Sequence, residues 1–238
     1  MKEKIYTIPV KEAFEADCEC PICMMYKELE ENAIEFTMGP SYMDDDIREA
    51  TSSLGFCEKH LGQLYQNQNR LGLALILESH MDKLMKEIEK RTSGGIKYSS
   101  PALFKRKAEV PQVVSYLDGV EATCFVCDKI DRSYQRYIAT IFHLYHTDGA
   151  FREKFSNTKG FCTGHYRKLF SAAAGHLSGE ELNRFLTELN RVYLENMKRV
   201  RDDLEWFINK FDYRYADEPW KNAKDALPRA MQKTNSII

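Results

Sequence analysis

The chain has 238 residues with 34 Lys and Arg against 36 Asp and Glu, a net charge of -2, which lacks the basic excess of a protein built to neutralise phosphates. At 43% hydrophobic and 29% charged, with only 12 Gly and 7 Pro, the composition excludes a disordered chain and suits an ordered, helix-rich one. No run approaches the roughly 18 apolar residues of a membrane span. The opening MKEKIYTIPVKEAFEADCECP lacks the apolar core of an export signal, so a cytoplasmic protein without stable disulfides is expected.

In chain order, a helix is predicted after Cys20-Pro-Ile-Cys23, with Tyr26, Leu29, Ala33 and Phe36 stepping by three and four along one face. MGPSYMDDD interrupts it. Asp44, Asp45 and Asp46 then gather where negative charge favours a helix start. A short polar helix leads to Gly55-Phe56-Cys57-Glu58-Lys59-His60, and the helix bearing the histidine carries Leu61, Leu64 and Tyr65. A longer helix over about Arg70 to Arg91 places Leu77, Met81, Leu84 and Ile88 on one face.

Residues 92–111 have the Gly, Ser and Pro content of a linker, and their Lys105, Arg106 and Lys107 cluster reads as a solvated charge run. The pattern then starts again. Cys124-Phe-Val-Cys127 precedes a helix with Ile130, Tyr134, Tyr137, Ile141 and Leu144 on one stripe, broken at HTDGAF. Gly160-Phe161-Cys162-Thr163-Gly164-His165 follows, then Tyr166, Leu169 and Phe170. Ser178 and Glu181 have the spacing of a capping box for a last helix running to about Phe211. Such a helix would be about 45 Å long and span both halves of the protein. The expected division is a first helical repeat at 1–91, the linker, a second repeat at 112–212, and a 213–238 segment that, with Phe211 just before it, docks Tyr213, Tyr215 and Trp220 on the body.

Six of the seven cysteines and two of the six histidines fall into this duplication. Cys20, Cys23, Cys57 and His60 form the first set, with 33 residues between the pairs; Cys124, Cys127, Cys162 and His165 form the second, with 34. Three thiolates and one imidazole make the Cys3His donor set of a closed tetrahedral zinc site, and each set is expected to close within its own copy. Two zinc ions per chain are therefore expected, with iron or an iron–sulfur cluster as the alternative that the same donors accept. Four ligands per site leave no position for a reacting water, which favours a structural ion. Cys18 has no counterpart before Cys124 and reads as an ordinary small residue. His143 and His146, three apart on one helix, have Gly39 and Tyr42 at the aligned positions of the first copy and stand outside the repeated device, as do His80 and His176.

The stretches YTIPVKEAF, CECPIC, GPSYMDDDIR, LGFCEKH, NRLGLAL, CFVC, GFCTGH, KFDYRY and WKNAKDALPRA resemble a family of bacterial proteins found in Firmicutes such as clostridia, over nearly the whole chain. The resemblance implies the tandem cysteine and histidine pattern and brings no activity with it. The name ABC-transporter substrate-binding protein, sometimes given to such chains, finds neither an export signal nor a lipoprotein cysteine after an apolar segment here.

The expected protein is all-α, with two pseudo-repeats each bearing a Cys3His set, serving as a module for a protein or small-molecule partner. One rival is a thiol-redox or metal-dependent enzyme acting through a CxxC thiolate at a helix N-terminus. The other is a nucleic-acid-associated regulatory factor using the linker's basic cluster, which the overall charge disfavours. The sequence contains no phosphate loop, dinucleotide fingerprint, HExxH or Gly-x-Ser-x-Gly.

Overall fold

Glycine, proline and small polar residues punctuate the chain, and helices fill the intervals. The computed structural model describes residues 4–95 and 110–236, among which there are eleven α-helices and no strand. The Lys105, Arg106 and Lys107 cluster lies outside the described residues. No helix of the described residues is long and apolar enough to cross a membrane.

The helices are α1 (Lys4–Glu15), α2 (Pro21–Met38), α3 (Asp45–Leu54), α4 (Glu58–Gln66), α5 (Arg70–Thr92), α6 (Gln112–Glu121), α7 (Phe125–Thr147), α8 (Gly149–Asn157), α9 (Thr163–Ala172), α10 (Gly179–Asn209) and α11 (Ala226–Asn235). The duplication in the sequence thus becomes two sets of five, α1–α5 and α6–α10, with α11 as an addition. Asp45 and Asp46 occupy the first turn of α3, as their charge favours. Asp148 caps α8 by accepting from the Ala150 and Phe151 N–H groups.

The compact units cut across the two sets. The first comprises residues 1–28 and 133–238, and the second residues 29–132. The chain passes from one to the other inside α2 and inside α7. The first unit therefore joins α1 and the start of α2 to α8, α9, α10 and α11, and the second joins α3, α4 and α5 to α6 and the start of α7.

The core of the first unit is aromatic. Phe14 of α1 lies against Phe151 and Phe155 of α8, and Phe155 in turn meets Tyr145, Phe161 and Phe185 with centroids 5.3–5.4 Å apart. Such pairs add about 0.5–1.5 kcal/mol each beyond the burial of their surface. Buried Phe185, Leu189, Val192 and Val200 mark the inward stripe of α10. All 31 residues of α10 belong to this one unit, rather than being shared between the two as its length suggested. Ser178 is its N-cap, yet the hydroxyl caps nothing, and Glu181 accepts from His146 Nδ1 at 2.7 Å instead of completing a capping box.

The end of α10 is wrapped by the segment that follows. Trp206 Nε1 donates to the Pro219 carbonyl at 3.0 Å, Trp220 packs on Phe207 at 5.9 Å, and Lys210 Nζ donates to the Tyr215, Ala216 and Glu218 carbonyls. Phe211 and Tyr213 instead point outward, 76% and 87% exposed. These two rings therefore do not dock on the body as expected, whereas Trp220 does.

In the second unit the buried face of α5 is Leu73 and Ile76, with Met81 59% exposed, so the inward stripe is rotated from the one the spacing suggested. Phe36 likewise sits at the margin of α2 with the Lys129 ammonium 3.5 Å from its ring centre. The isolated histidines have packing roles. His80 Nδ1 bonds the Ser52 carbonyl at 2.7 Å, and in the first unit His176 stacks on Phe142 at 4.7 Å.

The glycine of each Gly-Phe-Cys turn is required by its backbone. Gly55 has φ +58 and a Cβ there would lie 2.9 Å from the His80 ring; Gly160 has φ +87 and a Cβ would lie 3.0 Å from Asn196 Cβ and 3.2 Å from the Val192 carbonyl oxygen. Both the left-handed backbone and the close neighbour oppose any side chain. Gly55→Ala and Gly160→Ala are each expected to destabilise the protein by about 1–3 kcal/mol. Gly119→Ala, in the interior of α6 with nothing within 4 Å of the added carbon, is expected to stabilise it by about 0.5–1 kcal/mol. Urea unfolding of the three variants checks the contrast.

Candidate metal centres

Every cysteine of the duplicated motifs is placed by a helix start. Cys57 and Cys162 are the N-caps of α4 and α9, with extended backbone. Cys20 and Cys124 stand immediately before α2 and α7, their carbonyls accepting the first helical N–H groups from Met24 and Asp128. The second member of each pair, Cys23, His60, Cys127 or His165, then falls three residues on, in the first turn. That spacing brings the Cys127 N–H onto Cys124 Sγ at 3.5 Å and the His165 N–H onto Cys162 Sγ at 3.4 Å. N-terminal N–H groups and the positive end of the helix dipole favour a thiolate at such positions.

The helix starts converge in pairs, but not in the expected ones. Cys20 and Cys23 meet Cys162 and His165 in the first unit, while Cys57 and His60 meet Cys124 and Cys127 in the second; in each group the four donor atoms lie within 4.8 Å of one another. The CxxC of each copy is thus completed by the CxxH of the other, which corrects the expected closure within a copy. The eight residues are the ones the spacing singled out, and their partners are exchanged.

The separations suit a four-coordinate ion. In the first group His165 Nδ1 lies 3.4, 3.3 and 3.1 Å from the sulfurs of Cys20, Cys23 and Cys162, and Cys23 and Cys162 are 3.6 Å apart. In the second, His60 Nδ1 lies 3.3, 3.4 and 3.3 Å from the sulfurs of Cys57, Cys124 and Cys127, and Cys57 and Cys127 are 4.0 Å apart. A tetrahedral zinc with ordinary bond lengths holds two sulfurs about 3.8 Å apart and a sulfur and a nitrogen about 3.6 Å apart. The sulfur–sulfur separations are far too long for disulfides.

Crowding the thiols perturbs them strongly. Hydrogen bonds from Cys20 and Cys23, against burial and with help from His165, hold Cys162 far below the usual thiol range, while bonds to Cys162 and Cys20 together with burial push Cys23 far above it. In the second group burial works against Cys124 ionisation, but bonds from His60 and from the Cys127 and Cys57 backbone outweigh it and bring that thiol down to about 6. Burial and the Cys124 charge push Cys127 up to about 12. Burial also opposes a charged His165, yet the neighbouring Cys162 and Cys20 raise it to about 9. One thiolate thus discourages the next, which is the repulsion that a divalent cation at the centre of the group removes.

The surrounding residues were not visible in the motifs. His60 turns Nδ1 to the sulfurs and Nε2 to Glu30 of α2, 3.0 Å away, and the same carboxylate takes Lys59 Nζ at 2.5 Å and Gln63 Nε2 at 2.9 Å. Burial raises the Glu30 pKa, but these three partners hold it below the ordinary value. A carboxylate behind a ligating imidazole is the usual device that fixes its tautomer and orientation. Tyr134 of α7 follows Cys127 by the interval at which Glu30 follows Cys23, and its ring lies 6.0 Å from that of His165. A signal was present in this shared spacing of seven, which puts both residues on the cysteine face of their helices.

The residue before each CxxC is also tied to the Gly-Phe-Cys turn it faces. In the second unit Thr123 Oγ1 donates to the Leu54 carbonyl at 2.8 Å and the Phe125 N–H to the Gly55 carbonyl at 3.0 Å. In the first, Lys233 of α11 bridges the corresponding segments, donating to the carbonyls of Glu19 at 2.6 Å and of Lys159. Its ammonium also pairs with the Glu19 carboxylate at 3.1 Å, and Arg199 adds a second cation there at 2.5 Å. Ser236, just past α11, places its hydroxyl 2.9 Å from Cys162 Sγ.

Cys18 stands outside both groups, half-buried with its thiol 3.8 Å from the Ala13 carbonyl and its pKa raised by burial first of all. His143 and His146 form no metal-binding group among the described residues.

No curated protein and no solved structure matches the chain. Over residues 1–238 the chain matches a family of unknown function, DUF6062, and it belongs to that family.

Proposed function

We propose that the protein is a zinc-binding helical module in which two ions, one in each unit, fasten helix starts from different parts of the chain. The observation that carries this reading is the double convergence of three thiols and one imidazole nitrogen at separations suited to a tetrahedral ion. Soft thiolates together with one imidazole favour zinc over the harder divalent cations, and iron is the competitor the same donors admit. In this reading Cys20, Cys23, Cys162 and His165 hold one ion, and Cys57, His60, Cys124 and Cys127 the other. Because each set is complete at four, the ions stabilise structure and leave no open position for a reacting water. The outward Phe211 and Tyr213 supply aromatic surface of the kind that anchors a partner.

Elemental analysis of protein purified without added metal is expected to give about two zinc ions per chain. Iron absorption, or a metal-free folded protein, would sink the reading. The pairing is tested by double variants. Cys20→Ser with Cys162→Ser empties one centre and keeps one tight zinc, whereas Cys20→Ser with Cys57→Ser damages both centres and loses both ions. Closure within each copy predicts the reverse, with the second variant retaining one zinc.

Glu30→Ala is expected to weaken one of the two zincs by roughly 10–100-fold and leave the other unchanged, since only His60 rests on that carboxylate. Competition with a chromophoric chelator reads the two affinities separately. Equal weakening of both ions would contradict this assignment of the carboxylate.

A further inference from the structure

The two centres share a donor set and differ in how they are enclosed. Cys20, Cys23 and Cys162 are 0%, 1% and 0% exposed. Lys233 and Ser236 close over them from α11, with the Tyr134 ring against His165. In the other centre Cys124 and His60 are buried, but Cys57 is half-exposed and Cys127 exposed. Their sulfurs are 4.0 Å apart.

We propose that the centre of Cys57, His60, Cys124 and Cys127 is an oxidant-labile zinc switch, operated by peroxides, while that of Cys20, Cys23, Cys162 and His165 keeps its ion. The proposal rests on the zinc reading above. Oxidation of cysteine follows thiolate character and access; zinc holds every one of its sulfurs as a thiolate, so access decides, and it is greatest at the exposed Cys127. Cys127 sulfur attacks one peroxide oxygen, the O–O bond breaks, hydroxide leaves and a sulfenic acid forms. Cys57 sulfur then attacks the Cys127 sulfur, the S–S bond forms and the second hydroxide leaves. Two thiolates have lost two electrons, hydrogen peroxide has become two hydroxides that solvent protonates, and no other reactant is consumed. Cys124 and His60 alone cannot hold zinc tightly, so the ion departs. A dithiol reductant returns the two electrons and, with zinc, the site.

The test uses the full chain carrying its two zincs, treated with hydrogen peroxide in the presence of a chromophoric zinc chelator. The expected release is biphasic, with about one equivalent leaving at least about tenfold faster than the second. Peptide mapping after the fast phase is expected to find Cys57 joined to Cys127 and Cys20, Cys23 and Cys162 unmodified, and dithiothreitol with zinc should restore the original content. Cys127→Ser is expected to carry one zinc and to lack the fast phase; the wild-type kinetics and mapping decide the matter if that variant does not fold. Release of both ions in one phase, or first modification at Cys20, Cys23 or Cys162, overturns the switch while leaving the zinc reading intact. A chain that binds no zinc overturns the zinc reading itself.

Discussion

The structure depends on one constraint, that each pair of donors at a helix start must find its complement at a helix start from the other copy. Cys23 meets Cys162 across 139 positions of sequence and Cys127 meets His60 across 67. Loop closure grows so slowly with length that closing the longer loop rather than one of about 34 residues costs only about 1 kcal/mol. Entropy therefore does not forbid the exchange, and helix geometry favours it. The 18 residues of α2 carry the chain about 27 Å from its CxxC, and the 10 residues of α3 recover at most about 15 Å. In the second copy the 23 residues of α7 advance about 35 Å and the 9 residues of α8 return about 14 Å.

Exchange also explains why the local restraints around the two groups are alike in place and different in chemistry. A residue preceding the CxxC must be held against the Gly-Phe-Cys turn if the four donors are to keep their separations. In the second unit Thr123 spans that distance directly. In the first the corresponding residue is Glu19, whose side chain is engaged by Arg199 and Lys233, and the bridging is done by the Lys233 ammonium. A buried lysine is costly unless paired and hydrogen-bonded, and here two carbonyls and a carboxylate surround it.

Much of this was legible. The eight cysteines and histidines that cluster, the all-helical fold and the acidic start of α3 all follow from patterns over a few residues, which report local geometry directly. The partner of each pair did not, because matching by nearness along the chain ignores where an 18- or 23-residue helix delivers its end. The rotated face of α5 and the outward Phe211 were missed for a related reason. A stripe of apolar residues shows that a helix has a face but not which neighbour arrives to cover it, and at the end of α10 it is Trp220 on Phe207, with the loop carbonyls held by Lys210. The capping box failed because Glu181 found a partner in His146, a contact between helices that local spacing cannot contain.

Duplication followed by exchange makes the two centres inseparable in their chain and independent in their surroundings. The same position on α2 and α7 carries Glu30 in one copy and Tyr134 in the other. The carboxylate steers the imidazole of one centre and brings polar Lys59 and Gln63 with it, whereas the tyrosine ring shields the other. A hydrogen-bonded carboxylate raises the basicity of the ligand it orients, and an apolar wall lowers access and local dielectric. Added to α11 on one side only, this single substitution between copies is enough for one donor set to be built twice and to meet solvent in two different ways.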